Sequence, residues 1–218
     1  MPYFYGRAEG GSVTIEGADA RHLARSLRAR PGELISVIDP GREILMSVRL
    51  AAVSADLVSG TVEEERPHRP EPEVPVTMAL AMLPASALDE ALARCTELGA
   101  VAFLLVQAER SVARGARPER WAAICREASL LAGRLRVPEV SGPMPFAEAL
   151  QASARSLLLD REAAEPLRAL AAPATLLVGP EGGWTPTELA SAPAAFSLGP
   201  RNLRAENAAA AALAIALS

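Results

Sequence analysis

The chain has 218 residues, of which 50% are hydrophobic and 22% charged, and its formal net charge is −4. This composition is typical of a globular protein, and the length allows one large or two small domains. The acidic balance argues against a protein that coats nucleic acid without sequence preference, although it leaves room for a local basic patch.

The first 66 residues predict short strands with one helix among them. The strand-like runs are "SVTIEG", "ELISVIDPG" and "ILMSVRLAAVSADLVSGTVEEE", and the helical run is "ADARHLARSLRA". Glycine and proline turns separate them, which indicates a small barrel or sandwich. The segment that follows, "RPHRPEPEVP", is dense in proline and charge and therefore predicts a linker. We accordingly predict two domains, residues 1–68 and 69–218.

From Val74 onward, apolar strands alternate with helical patterns. The predicted strands are "VPVTMALAM", "VAFLLVQA", "SLLLD", "ATLLVG" and "AFSLG". The predicted helices are "SALDEALARCTELG", "ERWAAICREASLLAGRL", "EAAEPLRALA", "TPTELASA" and "ENAAAAALAIAL". Strands this apolar, alternating with helices, predict an α/β fold with a mostly parallel sheet that is covered on both faces.

Helix-capping residues give the most specific local predictions. Ser86 is expected to open one helix and Gly99 to end it. Thr185 is expected to cap another helix, with Pro186 in its first position and Glu188 completing a capping box.

Three segments are expected to leave strands at one edge of the parallel sheet, where α/β proteins bind ligands. They begin at Asp160, at Gly179 and at Gly199. The glycine-rich segment "VGPEGGW" matches neither phosphate-binding pattern, and Glu181 would repel a phosphate. S-adenosylmethionine, which has a positive centre and an adenine ring, suits this loop better. A tight turn that requires glycine fits the same residues equally well.

Basic residues are concentrated in two stretches. Arg21, Arg25 and Arg28 are expected to share one helix face. Residues 110–136 contain seven Arg against two acidic residues. Such concentration in an acidic chain suggests a surface for RNA or phosphate, although a solvated charged face is the alternative.

Metal, membrane and disulfide features are not predicted. The two histidines are far apart and lack ligand spacing, so we expect no metal site. No signal-peptide pattern is found, and the longest apolar run, residues 208–217, is too short to span a bilayer. We therefore expect a cytoplasmic protein. Cys95 and Cys125 fall at apolar helix positions and are expected to be buried free thiols.

Five motifs in this order resemble one known family, the RsmE-type 16S rRNA uridine-N3 methyltransferases of the SPOUT superfamily. The motifs are "RHLARSLRARPGELISVIDPG", "LDEALARCTELGA" with "ERSV", "ERWAAICREASLLAGRLRVPEV", "LVGPEGGWTPTEL" and "LGPRNLRAENA". The resemblance covers nearly the whole chain. It implies an N-terminal PUA-like β-barrel that binds RNA and a C-terminal SPOUT α/β domain with a trefoil knot. It also implies a homodimer that uses S-adenosyl-L-methionine to methylate 16S rRNA of the small ribosomal subunit.

The residues and the resemblance together lead to hypotheses for individual residues. The expected cofactor-binding residues are Leu159, Val178, Gly179, Pro180, Glu181, Gly182, Gly183, Ser197, Leu198, Gly199, Asn202, Leu203 and Arg204. The expected RNA-binding residues are Arg21, His22, Arg25, Arg28, Arg110 and Arg134. Arg204 is expected to hold the uracil or stabilise its developing anion, and Glu206 to orient Arg204.

Four residues depart from the family pattern. Leu130 and Leu131 stand where a glutamine-containing stretch is usual, and Ala205 and Asn207 stand where the family commonly has threonines. These departures keep two alternatives open. One is a catalytically inactive protein that binds RNA or assists ribosome assembly, and the other is a SPOUT methyltransferase with a different RNA target.

Overall fold

The computed structural model describes residues 3–218, which divide into two compact units. The N-terminal unit comprises the chain up to Glu71 together with Ser129–Arg136. The C-terminal unit comprises Pro72–Ala128 and Val137–Ser218. The grouping of a later segment with the N-terminal unit was not predicted, because composition along the chain gives no signal for it.

The N-terminal unit contains one six-stranded sheet. Its strands are β1 (Tyr3–Tyr5), β2 (Arg7–Glu9), β3 (Ser12–Glu16), β4 (Leu34–Asp39), β5 (Ile44–Val53) and β6 (Leu57–Pro67). Their order is β1-β4-β5-β6-β3-β2, and every pairing is antiparallel except that of β1 with β4. Two register shifts between β5 and β6 act as β-bulges, which increase twist and curve the sheet into a half-barrel.

The interior of this half-barrel is apolar, except for two buried carboxylates that accept hydrogen bonds from backbone N–H groups. Val13, Ile15 and Val48 are among its buried side chains. Asp19 Oδ2 accepts a hydrogen bond from the N–H of Tyr5 at 3.0 Å. Asp39 accepts in the same way from Ala8 and Gly41. These bonds compensate the cost of burying charge and satisfy backbone donors between strands.

The single predicted helix of this unit is shorter than expected. Helix α1 (Gly17–Arg21) continues into one π-helical turn, His22–Ser26, and the helix ends there. Arg28 lies beyond it with φ at +53°, so the prediction that Arg28 shares a helical face with Arg21 and Arg25 was wrong. A π-turn closes hydrogen bonds five residues apart, which changes the angular spacing on which that prediction depended.

Segment 129–136 is fixed within the N-terminal unit by Glu71. The Glu71 Oε2 atom lies 2.6 Å from Nη2 of Arg134, and Oε1 accepts from the N–H of Leu135 at 2.9 Å. The hydroxyl of Tyr5 donates to the carbonyl oxygen of Arg134 at 2.9 Å. Because these bonds join β1, residue 71 and segment 129–136, they explain why the segment packs with this unit.

The C-terminal unit is built on one parallel sheet, as predicted. Its strands are β7 (Val76–Ala81), β8 (Ala102–Gln107), β9 (Glu139–Pro145), β10 (Ser156–Leu159), β11 (Ala174–Val178) and β12 (Ala195–Phe196). The order is β12-β10-β11-β7-β8-β9, with all pairings parallel. The helices are α2 (Ala85–Leu98), α3 (Pro118–Ala132), α4 (Phe146–Gln151), α5 (Pro186–Ser191) and α6 (Ala205–Ala216). Within residues 3–218, no helix has the length and apolar character that crossing a membrane requires.

Strand β7 shows why both sheet faces are covered. Met78 and Leu80 belong to a buried cluster that includes side chains of α2, α3 and α6. Ala79 and Ala81 point the other way, into a cluster with Ala149 of α4 and residues near α5. This alternation with a period of two places helices on both faces, which confirms the predicted arrangement.

The helices α2, α3, α5 and α6 were predicted, whereas α4 was not predicted and one predicted helix is absent. Gly99 ends α2 with φ at +108°, as expected, but the N-cap of α2 is Pro84 and not Ser86. Thr185 and Glu188 form the predicted capping box of α5. The helix predicted over "EAAEPLRALA" is absent, because Pro166 interrupts it and forms a parallel β-bridge with Ser197.

Candidate active site

A cavity of about 800 Å³ lies in the C-terminal unit, at the edge where β10, β11 and β12 end. Three loops line it: the loop after β10, the glycine-rich loop after β11 and the loop that joins β12 to α6. This is the sheet edge at which α/β folds bind ligands, and the volume suits a small molecule. The lining includes Leu159, Val178, Gly179, Pro180, Glu181, Gly182, Gly183, Leu198, Gly199, Asn202, Leu203 and Arg204.

The glycine-rich loop is both a tight turn and a wall of this cavity. The N–H of Gly183 donates to the carbonyl oxygen of Pro180 at 2.8 Å, and Gly183 has φ at +68°. The indole of Trp184 lies against Gly179, where an added Cβ would stand 3.0 Å from the ring. The indole N–H donates to the carbonyl oxygen of Leu159 at 3.0 Å and so joins the ends of β10 and β11. The two interpretations left open by the sequence therefore apply together.

Two side chains connect this loop to the segment that leaves β8. Oε2 of Glu188 accepts from the N–H of Thr185 at 2.8 Å, while Oε1 accepts from the N–H of Glu109 at 2.9 Å. Nη1 of Arg110 donates to the carbonyl oxygens of Gly182 and Trp184 at 2.9 and 3.2 Å. The capping box indicated only the first of these bonds. No pattern in the sequence predicts the bond to Glu109 or the two bonds of Arg110.

The loop before α6 presents an arginine to the cavity. Arg204 is the N-cap residue of α6, its side chain is exposed, and it lines the cavity. Glu206 is buried in the first turn of α6 with 7% exposure and does not contribute to the lining. Among the ion pairs found in residues 3–218, none joins Arg204 to Glu206. The structure thus brings Arg204 to the site and does not support the prediction that Glu206 orients it.

The lining has mixed charge. The acidic residues Asp160, Glu162 and Glu181 line the same cavity as the basic residues Arg110, Arg161, Arg201 and Arg204. Arg161 and Glu162 form an exposed ion pair at 2.6 Å. With apolar residues such as Leu159 and Phe196 beside these charges, the cavity suits a ligand that combines a flat or apolar part with both positive and negative groups.

Comparison with known proteins identifies the family. Residues 70–217 match the family model described as an RNA methyltransferase domain. The chain belongs to this RNA methyltransferase family. It is 33% identical over 222 residues to Ribosomal RNA small subunit methyltransferase E of Synechocystis, which covers 93% of the chain and 72% of that relative. The protein of that name in Mycobacterium bovis is 34% identical, with 94% of the chain and 85% of the relative covered.

A solved structure of a family member has the same fold along nearly the whole chain. Ribosomal RNA small subunit methyltransferase E from Neisseria gonorrhoeae, crystallised bound to S-adenosyl methionine, has a TM-score of 0.85 and 31% identity. The match covers 98% of this chain and 95% of that one. The RsmE-type resemblance drawn from the motifs is therefore confirmed.

One cofactor residue expected from the family resemblance lies outside the cavity. Ser197 is absent from the lining, and its backbone is engaged elsewhere. Its N–H donates to the carbonyl oxygen of Glu165 at 2.8 Å, and its own carbonyl oxygen accepts from Leu167 at 2.9 Å. The place of Ser197 in the cofactor site stays a prediction, while its neighbours Phe196 and Leu198 line the cavity.

The residues that depart from the family pattern have different surroundings. Ala205 is buried and lines the cavity. Asn207 is exposed, and its Oδ1 accepts from Nη1 of Arg94 at 2.7 Å, which ties α6 to α2. Leu131 is 65% exposed on α3. Only Ala205 of these three residues is positioned to contact a ligand in the cavity.

The RNA-binding residues expected from the family resemblance fall into three groups. Arg21, His22, Arg25 and Arg28 are exposed in the N-terminal unit. Arg110 lines the cavity of the C-terminal unit instead of standing alone on a surface. Arg134 requires correction, since its side chain is only 4% exposed and pairs with Glu71. A guanidinium held in that way stabilises the N-terminal unit and is not presented to a phosphate.

Proposed function

We propose that this protein is an S-adenosyl-L-methionine-dependent methyltransferase that methylates N3 of a uridine in 16S rRNA of the small ribosomal subunit. The observation that supports this most is the cavity at the ends of β10, β11 and β12, in a chain whose relatives are named as small-subunit rRNA methyltransferases. A relative at 31% identity has S-adenosyl methionine bound.

The residues of the cavity fit this cofactor. Gly179, Gly182 and Gly183 let the backbone approach a flat ring, and the close packing of Trp184 keeps the turn compact. Carboxylates in the lining can stabilise a sulfonium centre, and arginines can pair with the carboxylate of the methionine part. The cofactor supplies a methyl group on a positively charged sulfur, which a nucleophile can displace.

Arg204 is the side chain to which we assign direct contact with the uracil. N3 lies on the Watson–Crick edge, so the target base must be unpaired or turned out of the helix. Loss of the N3 proton leaves negative charge on the flanking carbonyl oxygens, and a guanidinium at the cavity can donate hydrogen bonds to them. Glu206 lies outside the lining, so we assign it a place in the α6 turn and no contact with substrate.

We assign RNA binding to the N-terminal unit as a PUA-like domain and the chemistry to the C-terminal unit as a SPOUT domain with a trefoil knot. The exposed arginines at positions 21, 25 and 28 support the first assignment. The parallel sheet and the loops at its edge support the second. We further expect a homodimer that acts in the cytoplasm.

Calorimetric titration with S-adenosyl-L-methionine tests the cofactor assignment. We expect the parent protein to bind and a Gly182→Arg variant to lose binding, because the new side chain would occupy the loop face of the cavity. Thr187→Arg adds the same side chain at an exposed α5 position outside the lining and should bind as the parent does. A folded parent that does not bind would favour the inactive RNA-binding alternative.

Methylation of isolated small ribosomal subunits tests the reaction. We expect nucleoside mass spectrometry to show N3-methyluridine, and Arg204→Ala to slow single-turnover methyl transfer by about 100-fold, as loss of a transition-state donor commonly does. Arg168→Ala, which removes an exposed arginine outside the cavity, is the matched control. A ribose-methylated product would instead support the alternative RNA target, and a full rate in Arg204→Ala would remove its assigned role.

The salt dependence of RNA binding tests the basic surface. Removing one phosphate contact should lower the slope of log affinity against log salt by about one unit. We expect this decrease for Arg25→Ala, whose side chain is exposed in the N-terminal unit. An unchanged slope would exclude Arg25 from the phosphate contacts.

A further inference from the structure

We propose that Arg110 is a positioning residue that holds the glycine-rich loop in its cofactor-binding conformation. This inference rests on the proposed function of the cavity and deepens it. It assigns Arg110 a different task from the RNA contact predicted from the sequence.

The hydrogen bonds of Arg110 support this role. A single nitrogen, Nη1, donates to the carbonyl oxygens of Gly182 and Trp184, which lie on either side of Gly183. Gly183 has φ at +68°, so the backbone turns sharply between the two carbonyl groups. Fixing both carbonyls therefore fixes the peptide groups on each side of the turn. Charged donors make stronger hydrogen bonds than neutral ones, which makes this a substantial restraint on an exposed loop.

The backbone that carries Arg110 is itself anchored to the same region. The N–H of Glu109 donates to Glu188, which is 3% exposed and also caps α5 directly after the loop. The loop is thus held at its end by Glu188 and at its turn by Arg110. The partners on the other side of these contacts are Glu109 and Arg110, two consecutive residues of the segment that leaves β8.

The same geometry argues against a primary role in binding phosphate. An arginine that binds RNA phosphate through both terminal nitrogens would have to release Nη1 from two carbonyl oxygens. Arg21, Arg25 and Arg28 have no such bonds among the interactions found for residues 3–218, and their side chains are exposed. Arg110 is therefore expected to change cofactor affinity more than the salt dependence of RNA binding.

The test compares Arg110→Met, Arg110→Lys and Arg114→Met. Methionine keeps an apolar stem against Gly182 but removes the donors, whereas lysine provides one nitrogen with several donors. Arg114 is exposed four residues further on, donates to the carbonyl oxygen of Ser111 within its own segment, and does not line the cavity. For each protein, the Kd of S-adenosyl-L-methionine is measured by calorimetry and the salt slope of RNA binding by titration.

We expect Arg110→Met to raise the Kd about tenfold, Arg110→Lys to recover part of this loss, and Arg114→Met to match the parent. The salt slope of Arg110→Met should stay within about half a unit of the parent. Hydrogen exchange without cofactor gives an independent measurement. Residues 179–184 should exchange faster in Arg110→Met than in the parent or in Arg114→Met.

Each contrary outcome has a distinct meaning. An unchanged Kd and unchanged exchange in Arg110→Met, with a slope lower by about one unit, would overturn the proposal and make Arg110 a phosphate contact. If the Kd, the hydrogen exchange and the salt slope of Arg110→Met all equalled those of the parent, the proposal would be overturned as well. If the parent itself did not bind the cofactor, the proposed function would fail, while hydrogen exchange would still decide whether Arg110 holds the loop.

Discussion

Adding one methyl group at Gly179 should destabilise the protein, whereas adding it at Gly182 should not. The two glycines stand in the same loop, and neither has φ in the left-handed region, so alanine suits the backbone at both. They differ in what the new Cβ would meet. At position 179 it would lie 3.0, 3.1 and 3.3 Å from three atoms of the Trp184 ring. At position 182 it would lie 3.4 and 3.6 Å from Cβ and Cδ of Arg110, which is ordinary contact.

The indole of Trp184 has little freedom to move away. It is 5% exposed, donates to the carbonyl oxygen of Leu159, and packs against Phe146 with ring centroids 5.1 Å apart. Overpacking of this kind costs about 1–3 kcal/mol. Replacing glycine with alanine stabilises the folded state by about 0.4–1 kcal/mol where the backbone permits, because the unfolded chain loses freedom. We therefore expect Gly179→Ala to lose about 1–2 kcal/mol and Gly182→Ala to be neutral or slightly more stable.

Urea unfolding of the cofactor-free proteins, followed by circular dichroism, measures the difference. Equal stability of the two variants would refute the argument, because it would mean that the indole moves aside without cost. A stability loss at Gly182→Ala larger than at Gly179→Ala would show that the contact of Gly182 with Arg110 is tighter than the structure indicates.

Three further changes have expected outcomes that unfolding experiments can check. Glu188→Gln should lower the free energy of unfolding by about 1–3 kcal/mol, because glutamine keeps one acceptor oxygen for the two backbone N–H groups, of Thr185 and Glu109, that Glu188 binds. The exposed Thr187→Ala should change it by less than about 0.5 kcal/mol. Arg134→Met should cost about 1–3 kcal/mol, because the Glu71 carboxylate loses its guanidinium partner and keeps only backbone N–H donors; a small loss equal to that of the exposed Arg136→Met would refute the assigned structural role. Burial raises the pKa of the Cys95 thiol from 9.0 to about 12, so stability should be unaffected below pH 9 and should fall between pH 9 and 12, where only the unfolded chain ionises. The loss relative to Cys95→Ala should approach about 1.4 kcal/mol per pH unit, and parallel pH profiles of the two proteins would contradict it.

Sequence patterns predicted five of the six strands of the C-terminal sheet because their determinants are local, whereas β9, which contains Gly142, Pro143 and Pro145, was missed. Apolar runs such as residues 174–178 are buried on both faces, and parallel pairing places the ends of β10, β11 and β12 at one edge of the sheet. The capping box at Thr185 was equally readable, since the residues that make it are three positions apart.

The error at Arg134 has a different cause, which is contact between residues far apart in the chain. Arg134 resembled a surface arginine until its pairing with Glu71, 63 positions earlier, was known. The backbone bonds of Ser197 to Glu165 and Leu167 likewise join distant segments. No periodicity within a segment reports such pairings. The π-turn at residues 22–26 is a separate and local error, since the sequence alone predicted ordinary helical spacing.

The cavity explains how this chain can depart from its family pattern and still keep a cofactor site. Four residues of the lining are glycines or prolines of the β11 loop, Gly179, Pro180, Gly182 and Gly183, where the backbone shapes the wall. Loss of hydroxyl groups at positions 205 and 207 changes little of that wall, since Asn207 bonds Arg94 instead and Ala205 contributes only a methyl group. Any effect of these departures should therefore fall on substrate positioning next to Arg204, and cofactor affinity should depend on the contacts that hold the loop, those of Arg110, Glu188 and Trp184.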